Sequence, residues 1–315
     1  MKKIVVIGDF HLKANEPYWT GQKKLLKYFS EKYQDCTLVF TGDLFDTSSP
    51  KWEVFSEFML FCKLFDGEIH IVHGNHEYSQ LKGSALLGLE KLENVSIYFD
   101  QTECQIEGLN FLMLPYRYSH KEMVEYQGNN NEYDYVVTHI TPVKYQFNTE
   151  GIQLNCKARA FLHGHIHVSS EFTDELGNLN VMIGVPQTTR NLEQSETKRV
   201  VVIENGEWRS ETLPIYMDIL DIKFGELPEN KFHLYNIYDA PSKKLVYELY
   251  KDYKIRDNGI SFQVSPKVSD INEKTLEEFK GSSLESSFKS FLKAQEKEVS
   301  KDIVECIYSY MERVK

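Results

Sequence analysis

The chain has 315 residues, 41% of them hydrophobic, and a net charge of −11; its length predicts about two domains, and its apolar content is enough for a buried core. The acidic balance argues against a protein that holds nucleic acid by a basic surface alone, but not against a nuclease, whose acidic ligands would themselves bind divalent cations. No apolar run approaches the roughly 18 residues of a membrane span, the apolar stretch before Gly8 is too short for a signal-peptide core, and the five cysteines (Cys36, Cys62, Cys104, Cys156, Cys306) form no CxxC pair, so a reduced, cytoplasmic protein without membrane contact is expected.

In chain order, residues 4–7 read as a buried strand that leads into Gly8-Asp9-Phe10-His11. Residues 20–33 carry Leu25, Leu26 and Phe29 at helical spacing, with lysines between them. The apolar run 37–40 predicts a second buried strand and delivers Thr41-Gly42-Asp43-Leu44-Phe45-Asp46 at its end. Residues 52–65 place Phe55, Phe58, Met59, Cys62 and Phe65 on one helical face. A strand over 69–72 leads to Gly74-Asn75-His76-Glu77. Strands separated by such helices indicate crossover units and a layered α/β fold.

From about residue 95 the pattern turns more purely β. Strands are predicted over 95–99 and 110–114, with Glu107-Gly108 at the turn. Residues 135–137 end in Thr138-His139, and 160–162 end in His163-Gly164-His165-Ile166-His167. Short strands follow at Glu171-Phe172 and 181–183. A hairpin over 199–204 and 207–213 turns at Asn205-Gly206, a type I′ pair. Pro214 closes this first domain, 1–215. Residues 216–265 predict a small α+β domain with strands over 218–224 and 260–264 and a helix over 245–253. Residues 266–315 read as a polar linker and two amphipathic helices, one striped by Leu284, Phe288 and Leu292, the other by Val299, Ile303 and Ile307. Those stripes either pack on the chain's own body or dock a partner.

A single carboxylate or imidazole at a strand end means little, and a lone buried His is more often a hydrogen-bonded core residue than a ligand. Here five strand ends carry such residues. In α/β proteins ligands bind at the carboxyl ends of strands. Carboxylate, amide oxygen and imidazole together suit a divalent transition metal better than an all-oxygen calcium site. The accompanying glycines permit sharp turns and close backbone approach to an ion.

In order, Gly-Asp-Phe-His, Gly-Asp-Leu-Phe-Asp, Gly-Asn-His-Glu, Thr-His and Gly-His-Ile-His resemble the calcineurin-like metallophosphoesterase superfamily over residues 4–213. The resemblance implies an α/β four-layer sandwich, two facing β-sheets flanked by helices, with two divalent ions at the strand ends. Asp9, His11, Asp43 and His167 would surround one ion, and Asp43, Asn75, His139 and His165 the other, with Asp43 bridging. Manganese is the first expectation, iron or magnesium the alternatives. Two cations about 3.5–4 Å apart clamp a phosphoryl group and activate water for in-line attack. His76, one residue beyond Asn75, would act as general acid or stabilise the transition state.

Within the superfamily, the stretch from Gly42 to Pro50, Gly8-Asp9-Phe10-His11-Leu12, Leu114-Pro115-Tyr116 and Gly164-His165-Ile166-His167 resemble SbcD-type nuclease subunits of double-strand-break repair complexes, in their compact phage-encoded form. That implies a Mn-dependent DNA exo/endonuclease acting in recombination and repair. It further implies a homodimer, with residues 20–33 and 52–65 as candidate faces, a capping domain at 216–265, and helices in 266–315 that dock an SbcC-like ATPase of the SMC family. Glu77 departs from the nuclease pattern and matches protein phosphatases, but Leu12 and Thr47-Ser48 do not fit that branch. The alternatives are a small-molecule phosphodiesterase or protein phosphatase of the same superfamily, and a non-catalytic DNA-end tether for an ATPase. His73 and His163 are expected behind the ligands or in the core. Asp46 is expected to hydrogen-bond a ligand His, and Arg117, His120 and Arg190 are candidate phosphate contacts.

Overall fold

A strand buried on both faces reads as a continuous apolar run, and β1 (Ile4–Ile7) is such a strand. Val5 and Ile7 face one core, Ile4 and Val6 another. In the computed structural model, the described residues are 2–79, 83–117, 131–142, 151–190, 193 and 197–262. The expected linker and C-terminal helices, His120 and Cys306 lie outside them.

After β1 come α1 (Tyr18–Lys32), β2 (Thr37–Phe40), α2 (Trp52–Leu64) and β3 (Ile69–Val72). A small hairpin, β4 (Tyr78–Ser79) and β5 (Gly83–Ser84), and a 3-10 turn at Ala85–Gly88 precede β6 (Val95–Tyr98). Then follow β7 (Thr102–Ile106), β8 (Leu109–Leu114), β9 (Glu132–Thr138), β10 (Lys157–His163), β11 (Ser170–Thr173) and β12 (Leu179–Met182). The hairpin β13 (Arg199–Glu204) and β14 (Glu207–Thr212) turns at Asn205 and Gly206, both at positive φ as a type I′ turn requires. Last come β15 (Ile219–Lys223), β16 (Leu234–Ala240), α3 (Lys243–Leu249) and β17 (Lys254–Phe262).

Two six-stranded sheets result, ordered β14-β13-β1-β2-β3-β6 and β11-β12-β10-β9-β8-β7. In the first, β1, β2, β3 and β6 run parallel; in the second, β8, β9, β10 and β12 do. The sheets face each other across a core of Ile4, Val6, Val39 and Val72 from one and Phe111, Met113, Tyr135, Val137 and Leu162 from the other. The far side of the first sheet packs on α1 and α2 through Leu25, Leu26, Phe29, Phe58 and Cys62. The far side of the second buries Leu112, Leu114, Val136 and Phe161 under Ile140, Ile152 and Leu154. This is the layered α/β arrangement that the strand pattern predicted, with the two facing sheets that the resemblance implied.

The third sheet, β15-β16-β17, is where sequence and structure differ. β16 was not anticipated. The helix expected over 245–253 is α3, which starts at Lys243, because the Ser242 side chain accepts a hydrogen bond from the Leu245 N–H, and ends at Leu249. β17 begins at Lys254, six residues before the expected strand start at Ile260. Tyr250 and Tyr253 turn into the small core beside Tyr235 instead of continuing the helix. No helix among the described residues is long and apolar enough to cross a membrane.

Candidate metal centre

Parallel strands end on the same side, so the residues that follow them meet along one edge. β1 delivers Asp9 and His11, β2 delivers Asp43, β3 delivers Asn75 and His76, β9 delivers His139, and β10 delivers His165 and His167. The structure gathers all eight. His11 Nε2 lies 3.0 Å from His167 Nε2, which lies 3.6 Å from Asp9 Oδ2. Across from them, His139 Nε2 and His165 Nδ1 stand 3.1 and 3.0 Å from Asn75 Oδ1. Asp43 Oδ2 faces both groups, 3.8 Å from His11 Nε2 and 3.3 Å from His139 Nε2. Asp9, His11 and His167 form one set with donor atoms within 4.8 Å of one another, and Asp43, His139 and His165 another; His11, Asp43 and His76 link them.

The donor set fits divalent metal ions. Asp9 Oδ2 is buried and has no hydrogen-bond partner among the described residues. Two imidazole nitrogens 3.0 Å apart need a proton or a cation between their lone pairs. Mixed oxygen and nitrogen donors suit a transition metal.

Burial opposes charge on each group, and neighbouring charges decide the outcome. For His139, burial is overcome by the Asp43 and Asp9 carboxylates, which push it up to about 10. Burial raises Asp9 to about 6. Asp43, though buried, is held well below the usual carboxylate range by His139 and His11. Burial, then the neighbouring His139, takes His165 down to about 3; burial also lowers His11, outweighing Asp43. Neutral imidazole is the form that ligates metal.

The loops are bent to make this edge. His11, Asp43 and His165 have φ of 48°, 48° and 69°, a left-handed region that costs a non-glycine residue about 1–3 kcal/mol. The His11 N–H donates to the Asp43 carbonyl at 2.8 Å, and the His165 N–H to Asp9 Oδ1 at 3.0 Å. Gly164 must be glycine for space: a Cβ there would meet Thr41 Oγ1 at 2.5 Å and Asp9 Oδ1 at 2.6 Å.

His76 lies at the mouth with 28% of its side chain exposed. Its backbone N–H donates to Asp43 Oδ1 at 2.8 Å, and Nδ1 donates to the Asp46 carbonyl at 2.9 Å. The Asp46 carboxylate lies 3.5 Å from His11 Nδ1. His163 stands apart, bonded to Thr138 and Asn180. His73 packs against Phe99 and Tyr78. Arg117 pairs with Asp100 at 2.5 Å.

Two supporting residues, Gln22 and Glu193, escaped the sequence reading, and a third, Glu77, was read only as a departure from the nuclease pattern. Gln22 bonds to the backbone around His11; its one signal is a Gln within the apolar stripe of a helix. Glu77 accepts from the N–H groups of Phe45 and Gly74, both at 2.9 Å, and ties the β2 and β3 loops together. Burial, then Asp43, pushes Glu77 up to about 8. Glu193, 1% exposed, hydrogen-bonds His167 Nδ1. It follows β12, a parallel strand end that carries no candidate ligand.

Facing sheets that gather Asp, Asn and His side chains at one strand-end edge define a metal-dependent hydrolase. Residues 2–169 match the model of the calcineurin-like phosphoesterase family, and the chain belongs to that family, whose members use divalent metals. Solved structures similar to the chain include an archaeal phosphodiesterase, 16% identical over 67% of this chain and 99% of that one, with a TM-score of 0.39. Vps29 from Entamoeba histolytica appears both as a single mutant (12% identity, 67% and 98% coverage, TM-score 0.34) and as the wild type complexed with zinc (13%, 67% and 98%, 0.32). No curated protein matches the chain.

Proposed function

We propose that the chain is a DNA nuclease subunit that hydrolyses phosphodiesters with two divalent ions, manganese foremost, and works with an SMC-like ATPase in end processing. The observation that carries the hydrolytic part is Asp43 Oδ2, which lies between the two donor groups. Asp9, His11, Asp43 and His167 would hold one ion; Asp43, Asn75, His139 and His165 the other. Such ions polarise the phosphoryl group and acidify water. The chain's own part is to hold the donors at fixed spacing and to present His76. With Nδ1 donating to the Asp46 carbonyl, His76 brings Nε2 to 3.9 Å from Asp43 Oδ2, where its protonated form would give a proton to the leaving oxygen.

The choice of DNA rests on the stretch from Gly42 to Pro50 and on Gly164-His165-Ile166-His167, together with the small sheet that follows the phosphoesterase region. Exposed Trp52, Leu60 and Leu64 on α2 support a homodimer through that helix. The ATPase would dock on residues 266–315. A second reading, a small-molecule phosphodiesterase, draws support from the net charge of −11. Incubation of linear duplex DNA with Mn²⁺ tests the proposal. Degradation by the wild type and none by Asp43→Ala is expected. A wild type that cleaves a generic phosphodiester but leaves DNA intact, with or without the ATPase, would favour the small substrate.

A further inference from the structure

We infer that Glu193 is the positioning residue of the metal centre: through His167 it sets the affinity for the ion among Asp9, His11 and His167, and leaves the neighbouring ion site unaffected. The inference rests on the two-ion reading above and adds an asymmetry to it.

The four candidate imidazole ligands are backed in four different ways. His139 Nδ1 donates to the Thr41 carbonyl at 2.8 Å. His165 turns Nδ1 itself inward, 3.0 Å from Asn75 Oδ1. His11 Nδ1 faces Asp46 Oδ1 at 3.5 Å and makes no hydrogen bond among the described residues. His167 has a carboxylate in hydrogen-bond contact: Nδ1 donates to Glu193 Oε1.

That carboxylate is itself fixed. Glu193 Oε2 accepts from the Thr189 N–H at 2.5 Å, from Thr189 Oγ1 at 3.0 Å and from the Arg190 N–H at 3.0 Å. The Glu193 carbonyl accepts from the buried Lys198 Nζ at 2.6 Å. The loop after β12 therefore presents one oxygen, at a set position, to one imidazole. With its proton committed to Nδ1, His167 keeps the Nε2 lone pair aimed at the space beside Asp9 Oδ2 and His11 Nε2. A carboxylate behind a ligating imidazole fixes its tautomer and raises its basicity, and loss of such a partner weakens metal binding about 10- to 100-fold. Nothing equivalent joins Glu193 to Asn75, His139 or His165 among the described contacts, so the effect falls on one ion.

Calorimetric titration of Mn²⁺ into the metal-stripped full chain tests this, with wild type, Glu193→Gln and Thr189→Val side by side. Two ions are expected in the wild type. Glu193→Gln should leave one affinity unchanged and weaken the other about 10- to 100-fold. Thr189→Val, which keeps both the carboxylate and the imidazole, should weaken the same site less. A purely structural Glu193 predicts a lower melting temperature of the metal-free protein and equal weakening at both sites; that result, or no change at either, overturns the inference. If Glu193→Gln does not fold, Thr189→Val decides by the same criterion. A wild type that binds fewer than two ions would instead overturn the two-ion reading.

Discussion

Gln22 holds the backbone of His11 in its left-handed turn. The Gln22 amide donates to the His11 carbonyl at 2.8 Å and to the Phe10 carbonyl at 3.2 Å, and its oxygen accepts from the Lys13 N–H at 3.0 Å. One helix side chain, 0% exposed, thus saturates the loop that follows β1. Gln22→Leu leaves those backbone groups buried without partners, at about 1–3 kcal/mol each before relaxation. Thermal unfolding should show a melting temperature lower on the order of 10 °C. An unchanged melt would mean the loop does not depend on Gln22.

Asp43→Asn keeps the shape of the residue and removes the charge shared by both donor groups. Hydrolysis of a generic phosphodiester in Mn²⁺ should fall about 1000-fold or more, because several kcal/mol of charge stabilisation are lost. Calorimetry should register fewer bound ions than in the wild type. Full activity would remove Asp43 from the centre.

His76→Gln separates chemistry from ion binding. A general acid contributes about 10²- to 10⁴-fold, so kcat should fall by that order while the number of bound Mn²⁺ ions stays the same. An unaltered rate would sink the acid role; a lost ion would reassign His76 as a ligand.

His163 predicts a pH dependence of stability away from the donor groups. Burial pushes its imidazole down to about 4 from an ordinary 6.5. Thr138 donates to its Nδ1, and its Nε2 donates to Asn180, which together satisfy the neutral ring. The unfolded chain therefore binds a proton between these values that the folded chain refuses. Stability is full above pH 6.5 and declines as pH falls toward 4, by at most about 1.4 kcal/mol per pH unit for this group. His73, lowered to about 4 by burial, acts in the same direction. Urea unfolding of the metal-free protein at pH 5 and pH 7 should show a smaller difference for His163→Gln than for the wild type. An equal difference would show that another group carries the slope.

The strands β1, β2 and β3 were legible to the residue, because each is a continuous apolar run buried on both faces, with a glycine soon after. That the eight candidate side chains would come together was legible for a related reason: each follows a strand, and parallel strands bring their ends to one edge. The sequence by itself thus determined which side chains could meet, and its donor types pointed to a divalent metal. The small sheet was less legible, since Tyr250 and Tyr253 suit a helix face and a packed turn equally, and only their contact with Tyr235 decides between them. The supporting roles of Gln22, Glu77 and Glu193 were decided by tertiary structure alone. A polar side chain carries no periodic signal, and its meaning lies in a partner such as His167, 26 residues from Glu193 along the chain and reached only once the second sheet has formed.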